Sequence, residues 1–308
     1  MSLKIGCGDM RFVTVKTDEK VFVGVVDDTS QTVLHVREAQ RKKGEKVTIP
    51  ITMLECIEQG EPFTTKVIEI VEWAKENCKD AYYPLSEVKL LAPIPRPRKN
   101  ILCVGKNYRE HAIEMGGAEA VPESIIIFTK APTTVIGDGD KIYSHPHATS
   151  ELDYEGELAI VIGKRGKEIS KENALNHVFG YTIINDVTAR DIQKKHKQFF
   201  LGKSFDTFCP MGPSIVHRSM IANPNALHIE TKVNGEVRQS ATTEDMIFSI
   251  EEIISIVSKG MTLEPGDIIA TGTPAGVGKG FKPPRFLHAG DEVVITVEHV
   301  GTLRNHVK

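Results

Sequence analysis

The chain has 308 residues, 40% of them hydrophobic and 26% charged, a balance that excludes disordered and collagen-like classes and allows a substantial core in one large domain or a large and a small one. A net charge of −3 gives no footprint for nucleic acid or an anionic membrane surface as partner. No stretch approaches the ~18 apolar residues of a membrane span, MSLKIGCGDMRF at the N-terminus lacks an apolar h-region, and Cys7, Cys56, Cys78, Cys103 and Cys209 are scattered without a CxxC pair, so a cytoplasmic protein with reduced thiols is expected.

In chain order, RFVTVKT, KVFVGVV and TVLHV alternate and predict a small antiparallel sheet with a turn at Asp27-Asp28. FTTKVIEIVEWAKENCKD then places Val67, Ile70, Val71 and Trp73-Ala74 at helical spacing, giving one face to pack on that sheet. In LLAPIPRPRKN, prolines at 93, 95 and 97 forbid helix and favour an extended link, so a small N-terminal α/β domain over 1–93 and a larger one over 94–308 are expected. Beyond the link run many short strands, among them ILCV, SIIIF, ELAIVIG, FGYTIINDV, GDIIATG and EVVITVEHV, with few helices. Asn234-Gly235 predicts a type I′ hairpin, and Ser249 with Glu252 a capping box before IISIV. The expected class is a mixed, β-dominated α+β architecture rather than a doubly wound sheet.

Five stretches carry chemistry. In LDYEGELAIVIG, Asp153, Glu155 and Glu157 take every second place at the mouth of an apolar strand, so they share a face with Cα atoms roughly 6–7 Å apart. Carboxylates so close raise one another's pKa unless a cation or proton compensates them; the plainer reading is a solvated strand end. In FGYTIINDVTARDIQ, Asp186 ends a strand, where an N-cap is the plainer role. With Glu155 and Glu157 it makes a hard-oxygen set suited to Mg²⁺ or Mn²⁺. His111 and Glu114 in YREHAIEMGG are spaced i, i+3, as an oriented acid/base pair on a helix would be, on a segment ending at glycines that suit a mobile lid. Lys203 in FFLGKSFDTF lies among aromatic residues where an ammonium needs an anion, and IIATGTPAGVGKG is a strand and glycine turn whose N–H groups and Thr273 hydroxyl suit an anion without forming a Walker loop.

Taken in order, GKNYREHAIE, LDYEGELAIVIG, GYTIINDVTARDIQ, LGKSFDTFCPMGP and TGTPAGVGKG resemble the fumarylacetoacetate hydrolase family over essentially all of 100–308. The resemblance implies a β-roll of mixed sheets, a homodimer, one Mg²⁺ or Mn²⁺, and cleavage or rearrangement of the carbon skeleton of a small 2-oxo acid. It implies metal ligands at Glu155, Glu157 and Asp186, a lid dyad at His111 and Glu114, an oxyanion-stabilising Lys203, and substrate contacts at Arg190, Gln193 and Thr273. Family members that hydrolyse fumarylacetoacetate carry a further metal-binding Asp before the lid histidine, and ILCVGKNY contains no acid. The chain is therefore more similar to the branch of acylpyruvate hydrolases and bacterial oxaloacetate decarboxylases, which implies decarboxylation of oxaloacetate or C–C hydrolysis of acylpyruvates through a metal-held enolate. Two alternatives are an isomerase or decarboxylase of 2-hydroxyhepta-2,4-diene-1,7-dioate type, and a metal-dependent binding or regulatory protein with incidental catalysis.

Overall fold

The computed structural model describes residues 10–308; Cys7 lies outside them. The elements in chain order are β1 (Arg11–Lys16), β2 (Val21–Asp27), β3 (Thr32–His35), α1 (Val36–Lys42), α2 (Met53–Gln59), α3 (Glu61–Asn77), β4 (Tyr82–Pro84) and β5 (Lys89–Leu91). After the proline link come β6 (Ile101–Gly105), α4 (Arg109–Gly116), β7 (Ile126–Lys130), β8 (Val135–Ile136), β9 (Lys141–Ile142), β10 (Leu152–Asp153) and β11 (Gly156–Ile162). Then follow α5 (Lys171–Ala174), β12 (Val178–Asn185), β13 (Thr188–Ala189), α6 (Arg190–His196), α7 (Phe199–Lys203) and β14 (Cys209–His217). The chain closes with β15 (His228–Val233), β16 (Glu236–Thr242), α8 (Ile250–Ser258), β17 (Ile268–Ala270), β18 (Glu292–Val297) and β19 (Gly301–Val307).

Two sheets organise the molecule, one ordered β4-β3-β2-β1-β14-β12-β11-β17-β6-β7 and a five-stranded one ordered β16-β15-β18-β19-β9. This is the mixed, strand-rich α+β class that the sequence predicts. The hairpin at Asn234-Gly235 joins β15 to β16 with φ of 51° and 80°, which asparagine and glycine tolerate. The capping box at Ser249 opens α8 as expected. The three N-terminal strands form as predicted, and β1 also pairs antiparallel with β14 (Phe12 opposite Ile215), so they extend the large sheet. Phe12 and Phe63 from the first ninety residues pack on Phe179 in one continuous core.

β11 shows why the middle of the sheet is apolar. Leu158, Ile160 and Ile162 enter the core shared with the five-stranded sheet and α8, while Ala159 and Val161 enter the core beneath α2 and α3. Each large aliphatic side chain buried this way contributes about 1.5–3 kcal/mol, so both faces must be apolar and only the strand ends are free for polar chemistry. The strand directions bring those ends together. β11 runs antiparallel to β12 and β17, and β17 runs parallel to β6, so the start of β11 and the ends of β12, β17 and β6 share one edge.

Candidate active site

That edge gathers the acids. Gly156 lies opposite Asn185, the Asp186 N–H donates to the Glu155 carbonyl (2.8 Å), and the Glu155 N–H donates to Asn185 Oδ1 (3.0 Å), which sets Glu155 and Asp186 side by side. Period-two alternation turns Glu157 the same way as Glu155. Glu155, Glu157 and Asp186 are all buried, and each offers an oxygen within 4.8 Å of the others, close enough to share one ion with ligands at roughly 2.0–2.6 Å. Asp153 does not join them, contrary to the alternation expected along LDYEGEL. The chain breaks between β10 and β11, Leu152-Asp153 pairs with Thr188-Ala189, and the Asp153 carboxylate turns to Arg190 Nε (2.8 Å).

Cations surround the acids. Lys203, at the end of α7, places Nζ 2.6 Å from Glu155 Oε2 and 2.7 Å from Asp186 Oδ2, with the Phe128 ring 5.0 Å away. Lys130, at the end of β7, donates to Asp186 Oδ1 (2.5 Å) and to the Val187 carbonyl (3.0 Å). Arg190 Nη2 stands 2.7 Å from Glu155 Oε1 as an ion pair without hydrogen-bond alignment. Burial alone would raise the Glu155 carboxyl, but Lys203 and then Arg190 hold it well below the usual carboxylate range. Glu157 moves the other way: burial, then Asp186 and Glu155, push it well above that range, and the Gly272 N–H (2.8 Å) is the donor it finds. Burial opposes the Lys203 charge, and Asp186 and Glu155 outweigh it.

His111 and Glu114 lie on α4 with Nδ1 and Oε2 3.3 Å apart, the i, i+3 face the sequence predicts. α4 is held at the site edge by buried Asn107, whose amide donates to the Thr271 and Phe248 carbonyls and accepts the Phe248 N–H. His111, Glu155, Glu157, Arg190, Gln193, Lys203 and Thr273 all line one cavity of about 270 Å³. Gln193 lies 3.4 Å from Arg190 Nη1. The Thr273 hydroxyl donates to the Gly156 carbonyl (2.9 Å) and accepts from Gln239 (2.7 Å), so its proton is already engaged.

The glycine turn does cradle anions, but they are the chain's own. Gly272 N–H goes to Glu157, Gly276 N–H to Glu114 Oε1 (3.0 Å), and the Gly278 and Lys279 N–H groups to Asp153 (2.7 and 3.0 Å). Gly276 has φ of +101°, and a Cβ there would stand 1.9 Å from the Arg238 carbonyl oxygen; a Cβ on Gly280 would stand 2.0 Å from Glu114 Oε1. The turn is thus shaped to its acids.

Residues 100–308 match the family described as fumarylacetoacetate (FAA) hydrolase, C-terminal. The chain belongs to the fumarylacetoacetate hydrolase family. Over 301 residues it is 56% identical to the oxaloacetate tautomerase YisK of Bacillus subtilis (strain 168), covering 97% of this chain and 100% of that protein. Among solved structures it is similar to a fumarylacetoacetate hydrolase from psychrophilic Exiguobacterium antarcticum (TM-score 0.82, 44% identity, 97% of this chain and 99% of that one). It is also similar to a 2-hydroxyhepta-2,4-diene-1,7-dioate isomerase from Mycobacterium marinum (TM-score 0.72, 34% identity, 97% and 98% covered). This family member is an enzyme.

The donor set fits the divalent cation of this family. Four buried acids, Asp153, Glu155, Glu157 and Asp186, face three buried cations, Lys130, Arg190 and Lys203. The excess negative charge falls at Glu157, beside the two other acids, in an all-oxygen cluster that suits Mg²⁺ or Mn²⁺. Lys130 was not anticipated as a site residue, and Asp153, which alternation groups with Glu155 and Glu157, serves Arg190 and the glycine turn instead. Lys130 gives the same signal as Glu157, a charge closing the apolar run SIIIFTK, whereas the partnership of Asp153 with a turn 125 residues away has no local signature. Among the described residues no helix is long and apolar enough to cross a membrane, and Cys56, Cys78, Cys103 and Cys209 are free and buried.

Proposed function

We propose that this chain is a divalent-metal-dependent enzyme for 2-oxo dicarboxylic acids that interconverts the enol and keto forms of oxaloacetate. The observation that carries the reading is buried His111, paired with half-buried Glu114, lining the same cavity as Glu155 and Glu157 of the acid cluster. The full-length likeness to a protein named oxaloacetate tautomerase supports it. Glu155, Glu157 and Asp186 would hold Mg²⁺ or Mn²⁺, which would supply Lewis-acid stabilisation of negative charge on the substrate. The protein supplies the proton transfer. His111 Nδ1 is engaged by Glu114, so Nε2 gives a proton to carbon 3 in ketonisation while the enol hydroxyl releases its own to solvent, the reverse direction running the other way, and Glu114, fixed by the Gly276 N–H, orients the ring. Arg190 and Gln193 bind the carboxylate at the 2-oxo end. Lys203 holds Glu155 and Asp186 in register.

C–C bond cleavage is the second reading, favoured by the likeness to a protein named fumarylacetoacetate hydrolase. Loss of CO₂ from oxaloacetate needs only stabilised charge and a proton donor, whereas acylpyruvate hydrolysis also needs a water activated by His111. One experiment separates them: purified protein with Mn²⁺ is given enol oxaloacetate, and enol absorbance is followed beside pyruvate release. Rapid loss of enol without matching pyruvate supports tautomerisation. Pyruvate formed as fast as enol is lost establishes decarboxylation instead, and no acceleration of either defeats the reading. Parallel incubations with acetylpyruvate and a 2-hydroxydienoate test the hydrolase and isomerase alternatives.

A further inference from the structure

Six cationic side chains line the cavity, and two of them, Arg190 and Lys203, are committed to the acid cluster. Among the described residues, no carboxylate lies within ion-pairing distance of the ammonium groups of Lys106, Lys194, Lys197 or Lys279. Lys194 and Lys197 are exposed at the rim, where their charge steers anions inward and is screened by salt. Lys106 and Lys279 are only partly exposed, and of the two it is Lys279 whose backbone is held by a buried carboxylate.

The hold is specific. The Lys279 N–H donates to Asp153 Oδ2 at 3.0 Å, and Arg190 Nε donates to that same oxygen at 2.8 Å. One buried carboxylate therefore positions two cations of the same cavity, one already paired with Glu155 and the other free. The turn that carries Lys279 is clamped on its other side by Glu114, which accepts the Gly276 N–H and leaves no room for a side chain at Gly280. An ammonium held half-buried beside Arg190 with no carboxylate at ion-pairing distance is costly: burial, then Arg190, lower its pKa from the ordinary lysine value, and the more distant Glu151 and Asp153 offset only part of this. An anion in the cavity would offset both effects.

We propose that Lys279 is a specificity residue: its ammonium receives the far carboxylate of a dicarboxylic substrate whose 2-oxo end lies at the acid cluster, so the site selects dicarboxylates over monocarboxylates. This rests on the assignment of 2-oxo acids as substrates and adds the discrimination within that class. It also accounts for Asp153, the acid of LDYEGEL that stands apart from the other three: it is the positioning residue for this cation and for Arg190.

The test uses full-length protein loaded with Mn²⁺ and calorimetric titration of three unreactive probes: malate, with two carboxylates; lactate, with one; and oxalate, which spans only the 2-oxo end. Wild type is expected to bind malate about tenfold or more tighter than lactate, and Lys279→Met to abolish that difference while lactate and oxalate keep their affinities. Lys279→Arg restores most of it, and with oxaloacetate the loss in Lys279→Met falls on KM more than on kcat. Equal weakening of all three probes would assign Lys279 a merely structural role and overturn the proposal, as would a wild type that does not prefer malate. Should oxaloacetate not be turned over while the malate preference and its loss in Lys279→Met persist, the reaction assignment fails and the subsite stands.

Discussion

The two walls of the cavity are built differently. The acid wall consists of strand ends: Glu155, Glu157 and Asp186 are fixed by adjacent ladders, by the hydrogen bonds that join the Glu155 backbone to Asn185 Oδ1 and to the Asp186 N–H, and by apolar packing on both faces of β11. The opposite wall consists of α4 and the turn through Gly276–Gly280, held by a few hydrogen bonds to Glu114 and Asp153. The first wall concentrates charge that the fold must tolerate at a cost; the second places the groups we propose to act on a substrate. Rigid ladders suit the former because like charges relax apart unless the backbone forbids it. Turn-borne groups suit the latter because they vary without disturbing the sheet.

The largest effect should come from breaking the acid wall at Glu157. Glu157→Gln is expected to lose about 10³-fold or more in turnover, as removal of electrostatic stabilisation at a developing charge does, together with measurable metal uptake in calorimetry. Stability should respond in the opposite sense. Glu157's folded pKa is raised above the ordinary carboxylate value of 4.5, so in metal-free protein the folded state keeps a proton that the unfolded state releases as pH rises past that value. Stability is therefore lost as pH climbs from about 4.5 towards the folded pKa. Glu155, whose folded pKa is depressed, contributes stability that is present above 4.5 and lost as pH falls below it. Metal-free Glu157→Gln should melt higher than wild type at neutral pH, with a flatter dependence above 4.5. Equal melting temperatures at pH 7 would show that the crowding costs nothing.

The same division explains what the sequence could reveal. The acid wall was legible because strand alternation and an Asp closing FGYTIIN are local patterns, and because an acid in an apolar run demands a reason. The capping box at Ser249 and the turn at Asn234-Gly235 were legible for the same reason: their physics is complete within four residues. The loop wall was read as an anion cradle for a substrate, and its N–H groups proved to hold Glu114, Asp153 and Glu157 instead. That assignment depends on which acids the topology brings near residues 272–279. The joining of β1 to β14 across some two hundred residues was hidden likewise, because both strands are apolar and alternation does not name a partner.

A second effect, smaller than the first, lies where the two walls meet. Asp153 is fully buried and accepts from Arg190 on one side and from the turn on the other. Asp153→Asn sets an amide against those donors and takes one counter-charge from Arg190, so stability should fall by about 3–5 kcal/mol, as for other broken buried pairs. Denaturant unfolding checks this. Metal affinity should fall far less than in Glu157→Gln, because Asp153 lies outside the acid trio. Loss of metal binding equal to that of Glu157→Gln would erase the distinction between the walls.

The smallest effect should separate the walls most cleanly. In Gly280→Ala the new methyl would overlap the Glu114 carboxylate, so the Glu114 side chain must swing away unless the turn or α4 gives. Either movement disturbs the 3.3 Å contact between Glu114 and His111 Nδ1 and frees the imidazole to rotate. A misplacement of this size lowers a proton-transfer rate by about 10–100-fold, and the loss should fall on kcat while oxalate and Mn²⁺ affinities stay at wild-type values. The acids cannot feel the change directly, because Gly272, not Gly280, contacts Glu157. Should Gly280→Ala weaken Mn²⁺ binding as strongly as it slows turnover, the loop wall and the acid wall would be one mechanical unit; should it leave kcat intact, Glu114 would have no part in orienting His111.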